Sequence, residues 1–133
     1  MYPRRRQDGL IISPMDGELV VYDEQRKRAH SLNRTATVIF DHCDGSTSIP
    51  QLKAVLEQEF GERVSEDVVL LGLDELDKAH LLVAPAFDAD DRSRRTRRKI
   101  LRAAGSIALM LPAVQSITAP TPAAAVSIQP PPG

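Results

Sequence analysis

The stretch from Gly17 to Gly45, GELVVYDEQRKRAHSLNRTATVIFDHCDG, confines the chain to a small α+β fold. Leu19, Val20, Val21 and Tyr22 form the aliphatic, β-branched and aromatic run that strands prefer, so Glu18–Tyr22 reads as a strand. Asp23–Lys27 is a polar turn, and Arg28–Leu32 returns as a second strand. Asn33 then stands where a helix N-cap belongs, since its side-chain oxygen can accept an orphan N–H of the first turn. Ala36, Ile39, Phe40 and Cys43 follow at helical spacing, and Asp44-Gly45 is expected to close the helix. No constellation in this stretch looks catalytic, which directs attention to surfaces.

The rest of the chain extends the pattern. Leu10–Ser13 is a short apolar run expected to end at Pro14, and Asp16-Gly17 is a hairpin dipeptide. Three strands, about 10–13, 18–22 and 28–32, should therefore form an antiparallel meander. Helix one covers about Arg34–Cys43. Ser48 should cap a second helix with Pro50 in its first turn, whose buried face carries Ile49, Leu52, Val55, Leu56 and Phe60 before Gly61 ends it. Val64–Ala79 is the third helix. Val69, Leu73, Leu76 and His80 share its core face, while Val68 and Leu71 lie to one side and Leu70 to the other. Leu81-Leu82-Val83 then runs extended to Pro85. The fold class is thus α+β: a small winged-helix-like domain, three antiparallel strands followed by three helices, with a basic and apolar C-terminal tail.

The formal net charge of −1 conceals a division of the chain. Residues 1–91 hold ten Lys/Arg against eighteen Asp/Glu, whereas residues 92–133 hold seven Lys/Arg and no acid. Such a split implies two parts with different roles: a domain over 1–89 and a linker with tail over 90–133. The tail begins with the basic block Arg92–Arg102 and continues uncharged. Ala103–Ala119 is the one candidate membrane segment, short for a span and interrupted by Gly105, Pro112 and Gln115. Its expectations are a poorly ordered tail with one weakly helical stretch, contact with an anionic membrane surface through 92–119, or a processed or recognised segment. Basic block, apolar stretch and Ala123–Ala125 copy the order of an export signal, with Arg94-Arg95 echoing a twin-arginine start, at the wrong end of the chain. At the other end, residues 1–9 read as a loose solvated arm with no apolar core of a secretory signal behind Arg4–Arg6. A single cysteine excludes an internal disulfide and fits a reducing, cytoplasmic compartment.

Enzymatic classes find little support. Asp41, His42, Cys43 and Asp44 are adjacent on a helix and point different ways, and no second Cys/His group completes a tetrahedral metal site. The glycines are scattered singly, without a phosphate loop, so no cofactor is expected. Cys43 reads as a small core residue. A winged helix that binds DNA would need a basic helix facing phosphates, yet the folded part is strongly acidic, so no nucleic acid is expected. What remains is surplus apolar surface on the third helix beside a strand edge, a natural groove for strand addition. The residues leave open whether a peptide, the chain's own C-terminal tail or a second copy covers it.

Several short stretches, in this order and spacing, carry a resemblance: YPRRR…GELVVYD, HSLNRTA (His30–Ala36), IFDHCDG (Ile39–Gly45), SIPQL (Ser48–Leu52) and LDELDKAHLL (Leu73–Leu82). Over about Tyr2–Val83 the sequence resembles the PqqD-like family, the RiPP recognition elements. The resemblance implies a peptide chaperone that binds the leader of a ribosomally made precursor peptide and presents it to a modifying enzyme, often a radical-SAM protein. It implies that the leader adds beside Arg28–Leu32, against the Val64–Ala79 helix, with Leu32 as core anchor. The peptide-binding residues expected on that basis are Arg28, Ala29, His30, Ser31, Leu32, Val68, Leu70, Leu71, Asp74 and Glu75, with Glu66 and Asp67 adding to an acidic face that favours basic leader residues. Two positions depart from the family pattern. His80 replaces the usual Gly before Leu-Leu, and Gly72 replaces a bulky apolar residue, leaving a dent in the core or groove.

Overall fold

The first strand-to-strand connection is fixed by two residues at positive φ. In the computed structural model, which describes residues 2–83 and 111–118, Asp16 and Gly17 have φ of 52° and 81°. Two such residues in a two-residue loop make the type I′ turn that matches the twist of a hairpin. They join β1 (Leu10–Met15) to β2 (Glu18–Asp23). Pro14 does not end β1 as expected. It pairs with Leu19 inside the strand, which is tolerable because β1 lies at the sheet edge, where proline's missing N–H need not enter a ladder. The second turn leads to β3 (Arg28–Leu32) and is held by Asp23, whose Oδ1 accepts from the N–H groups of Gln25 and Arg26 at 3.0 and 3.2 Å.

The sheet has four strands, not three. Residues Val114–Thr118, read from the sequence as part of an apolar or weakly helical tail, form β4 and pair antiparallel with β3, giving the order β1-β2-β3-β4. The remaining expectations for 84–110 and 119–133, the basic block and most of the membrane candidate included, lie outside the described residues. Among the described residues no helix is long and apolar enough to cross a membrane.

Three helices cover one face of this sheet. α1 (Arg34–Asp41) starts at Asn33, whose Oδ1 accepts from Ala36 N–H, and stops at His42, two residues before the Asp44-Gly45 pair expected to close it. Asp44 instead folds a separate turn, accepting from the N–H groups of Ser46 and Thr47; the first of these bonds is the main reason its carboxyl is held below the usual carboxylate range. α2 (Ile49–Phe60) has the full reciprocal capping box of Ser48 and Gln51, a proline in its first turn, and Gly61 at φ 69° beyond its end. α3 (Glu66–Lys78) is shorter than the sequence suggests and follows Ser65.

α3 closes through a residue that was expected in the core. His80 is exposed and left-handed, with φ 60°. Its N–H donates to Asp77 C=O, and Leu81 N–H donates to Leu76 C=O, both at 2.9 Å. These two bonds, with buried Leu76 and Leu81, are a Schellman motif in which His80 holds the place glycine usually takes. The His80 departure therefore changes the residue and not the way the helix ends.

Leu19, Val21 and Leu32 from the sheet meet Ala36, Ile39, Phe40, Leu52, Leu56, Val69, Leu73 and Leu76 from the helices in one core. Cys43 is fully buried there, and burial pushes its thiol up to about 12. The N-terminal arm is not loose. Arg5 N–H donates to Cys43 C=O, Arg6 N–H to Leu81 C=O, and Val83 N–H to Arg4 C=O. Arg4 and Arg5 thereby bridge to Asp44 and Leu82 and draw the two ends of the domain together. Arg6 also reaches the fully buried Asp23 at 2.9 Å. Burial acts to raise the Asp23 pKa, but the Arg6 bond and charge and the two backbone donors outweigh it, holding the carboxyl below its ordinary value.

Candidate functional site

The edge at which strand addition was expected is that of β3. Its residues alternate as a half-buried strand must: Leu32 and His30 point into the domain, whereas Arg28 and Ser31 are exposed and Ala29 is half-buried. One edge of β3 is bonded to β2. The other is taken by β4, in the register Leu32↔Val114, Ser31↔Gln115, His30↔Ser116, Ala29↔Ile117 and Arg28↔Thr118. The chain's own C-terminal residues thus lie where strand addition was expected.

Asn33 directs the approach to this ladder. Besides capping α1, its Oδ1 accepts from Ala113 N–H at 3.1 Å, its Nδ2 donates to Leu111 C=O at 2.8 Å, and its backbone N–H donates to Ala113 C=O at 3.0 Å. The residue between, Pro112, has no N–H to satisfy and is buried. It sits over Gly72 of α3: a Cβ there would lie 3.3 Å from Pro112 Cβ and would collide with Ile39 Cδ1. The dent expected at Gly72 exists and is filled from both sides, by Ile39 from the core and Pro112 from the tail.

His30 supplies the polar contact. Its Nδ1 and the Ser116 hydroxyl share a hydrogen bond of 2.7 Å, while Nε2 is buried with no partner. An unpaired buried N–H costs more than an unpaired lone pair, which favours the proton on Nδ1, donated to Ser116 Oγ. Burial is the main influence on this imidazole and lowers its pKa, keeping it neutral at physiological pH.

On α3 the expected residues are placed unevenly. Val68 is buried within the main core, so it is not the surplus surface it appeared to be on a helical wheel. Leu71 is also buried, but outside that core cluster, and Leu70 is half-buried. Asp74 is buried and pairs with Lys78 at 3.1 Å, while Glu75 is half-buried. Asn33, Gly72 and the tail residues Pro112, Val114 and Ser116 were missed as site residues. The available signal was the run VQSIT, β-prone and placed just after a proline. Among the described residues no group of three His, Cys, Asp or Glu is arranged to hold a metal ion.

Residues 18–82 match the family model described as Coenzyme PQQ synthesis protein D (PqqD). No curated protein and no solved structure matches the chain.

Proposed function

Since residues 18–82 form a domain of the PqqD family, whose members are non-catalytic partner proteins in peptide-based biosynthesis, we propose that this chain is an adaptor. It binds the leader region of a ribosomally synthesised precursor peptide by strand addition and presents it to a modifying enzyme, such as a radical-SAM protein. One observation carries the reading: the outer edge of β3 accepts an extended antiparallel segment over five consecutive residue pairs. An edge that binds one strand through its backbone can bind another, because main-chain hydrogen bonds supply affinity regardless of sequence, and side-chain pockets supply the choice.

In this reading Arg28–Leu32 bond the leader backbone, with His30 and Arg28 setting register. Apolar leader residues lie against Leu70 and Leu71, and the acid-rich face of α3, with Glu66, Asp67, Asp74 and Glu75, favours basic neighbours. Val68 supports this surface from inside the core. The test is titration of the ¹⁵N-labelled full-length chain with leader peptides encoded beside its gene. Shifts concentrated in 28–32 and 64–76 are expected. Binding that leaves those residues unshifted would place the adaptor surface elsewhere.

A further inference from the structure

Alternate residues of the segment that enters and begins β4 make a register-specific set of contacts. Pro112 fills the Gly72 dent, Val114 packs against the core opposite Leu32, and Ser116 bonds His30. The intervening Ala113 and Gln115 are exposed, and Ser116, although exposed, is distinguished from them by its bond to His30. Of these five consecutive residues, the three at alternate positions each meet a distinct chemical environment: a notch too narrow for a side chain of its own, an apolar wall, and a buried imidazole nitrogen. A strand with a residue larger than proline in the first position would press against Gly72, and one lacking a hydrogen-bonding group in the last would leave both nitrogens of His30 without a protein partner.

We infer that the β3–α3 groove selects strands of the pattern Pro-x-Val-x-Ser, and that residues 111–118 are a built-in occupant that an incoming peptide of this pattern must displace. This rests on strand addition at β3 as the mode of binding. A segment on the same chain acts at an effective concentration of order mM. It therefore rejects strands that bind only through their backbone and yields to those that also fill the notch and bond His30.

The test uses the full-length chain and a fluorescently labelled synthetic peptide of residues 109–120. The natural chain is compared with full-length Val114→Asp, in which a carboxylate facing the core detaches β4 and leaves residues 2–83 unchanged. The variant should bind the peptide about tenfold more tightly or better, since the internal competitor is gone. On the variant, peptides carrying Pro112→Ala or Ser116→Ala should bind about fivefold more weakly, and one carrying Gln115→Ala should bind unchanged. Equal affinity for both chains would overturn the occupant role, as would a natural chain that light scattering shows to be a dimer exchanging β4. Insensitivity to Pro112→Ala and Ser116→Ala would overturn the pattern. If Val114→Asp binds a precursor leader but not the 109–120 peptide, this inference fails and the adaptor reading stands; if it binds neither, both fail.

Discussion

Asn33 Oδ1 accepts two hydrogen bonds at once, from Ala36 N–H at 2.9 Å and from Ala113 N–H at 3.1 Å. One begins a helix and the other holds a segment eighty residues away in sequence. The start of α1 and the attachment of the tail therefore depend on a single side chain, and the two can be separated.

Asn33→Ala should lose the cap, at about 1 kcal/mol, together with the grip on Leu111 and Ala113. Asn33→Asp keeps the accepting oxygen and loses only the Nδ2 donor to Leu111 C=O. Denaturant unfolding should show the Ala variant destabilised and the Asp variant near the natural chain. Amide exchange at 114–118 should quicken in both.

Leu71 lies at the boundary between core and groove, buried yet outside the main cluster. Leu71→Glu should abolish binding of added peptide and accelerate exchange in β4, while the far-UV circular dichroism of the sheet and helices stays unchanged. Undiminished peptide affinity in this variant would remove α3 from the groove.

Stability should fall in acid, by a sign that follows from Asp23 and His30. The folded Asp23 carboxyl has a lowered pKa, so the unfolded chain takes up its proton first. Its contribution is complete above the unfolded value of 3.8 and is lost as pH falls through the lower folded value. His30 is also lowered, from 6.5. The unfolded imidazole again binds the proton first, so stability declines as pH falls through 6.5 toward the folded value. Asp23→Asn should flatten the lower part of a denaturant-midpoint profile against pH and carry the His30 decline further toward acid, because the Asp23 charge acts to raise the His30 pKa.

Cys43, with its thiol pushed up to about 12 by burial, should resist a thiol reagent at pH 8 in the native state and react at once in denaturant. A native reaction rate that follows the unfolding rate across temperatures would show that access requires opening of the core.

His80→Gly should raise stability by up to about 1 kcal/mol, read as a shift of the denaturant midpoint. A side chain in the left-handed region costs about 1–2 kcal/mol, and the greater freedom of glycine in the unfolded chain returns part of the gain.

What could be read from the sequence was local. Ser48, Pro50 and Gly61 mark the ends of α2 because each acts within a turn of itself, and Val69, Leu73 and Leu76 mark the core face of α3 because helical geometry aligns them. What could not be read was long-range pairing. Arg4–Arg6 look like a solvated run until Asp23, Cys43 and Leu81 are known to lie beside them. The C-terminal tail is one of the covers left open for the strand edge, but that Val114–Thr118 are the residues that pair, and in which register, could not be read from an Ala- and Pro-rich tail. The helical wheel misplaced Val68 and His80 for a related reason: it assumes an unbroken helix facing one neighbour, whereas α3 packs against both α1 and α2 and turns left-handed at His80. The expectation of a peptide edge at β3 followed from a family resemblance, and the dent at Gly72 from a departure from its pattern, but Asn33 as clamp and Pro112 as the filling of that dent required the tail to be in position.

The edge strand β1 and the edge of β3 that β4 covers have different fates. β1 ends the sheet with Ile11, Ile12 and Met15 exposed, and its Pro14 interrupts the row of donors that a foreign strand would need. β3 has no proline, and without β4 it would offer an unbroken ladder to any unfolded chain in a crowded cell. On the proposed reading, an adaptor present before its peptide must survive that interval without seeding aggregates. Shortened versions ending before residue 111, convenient for measurement, should therefore be less soluble and shorter-lived on storage than the whole chain.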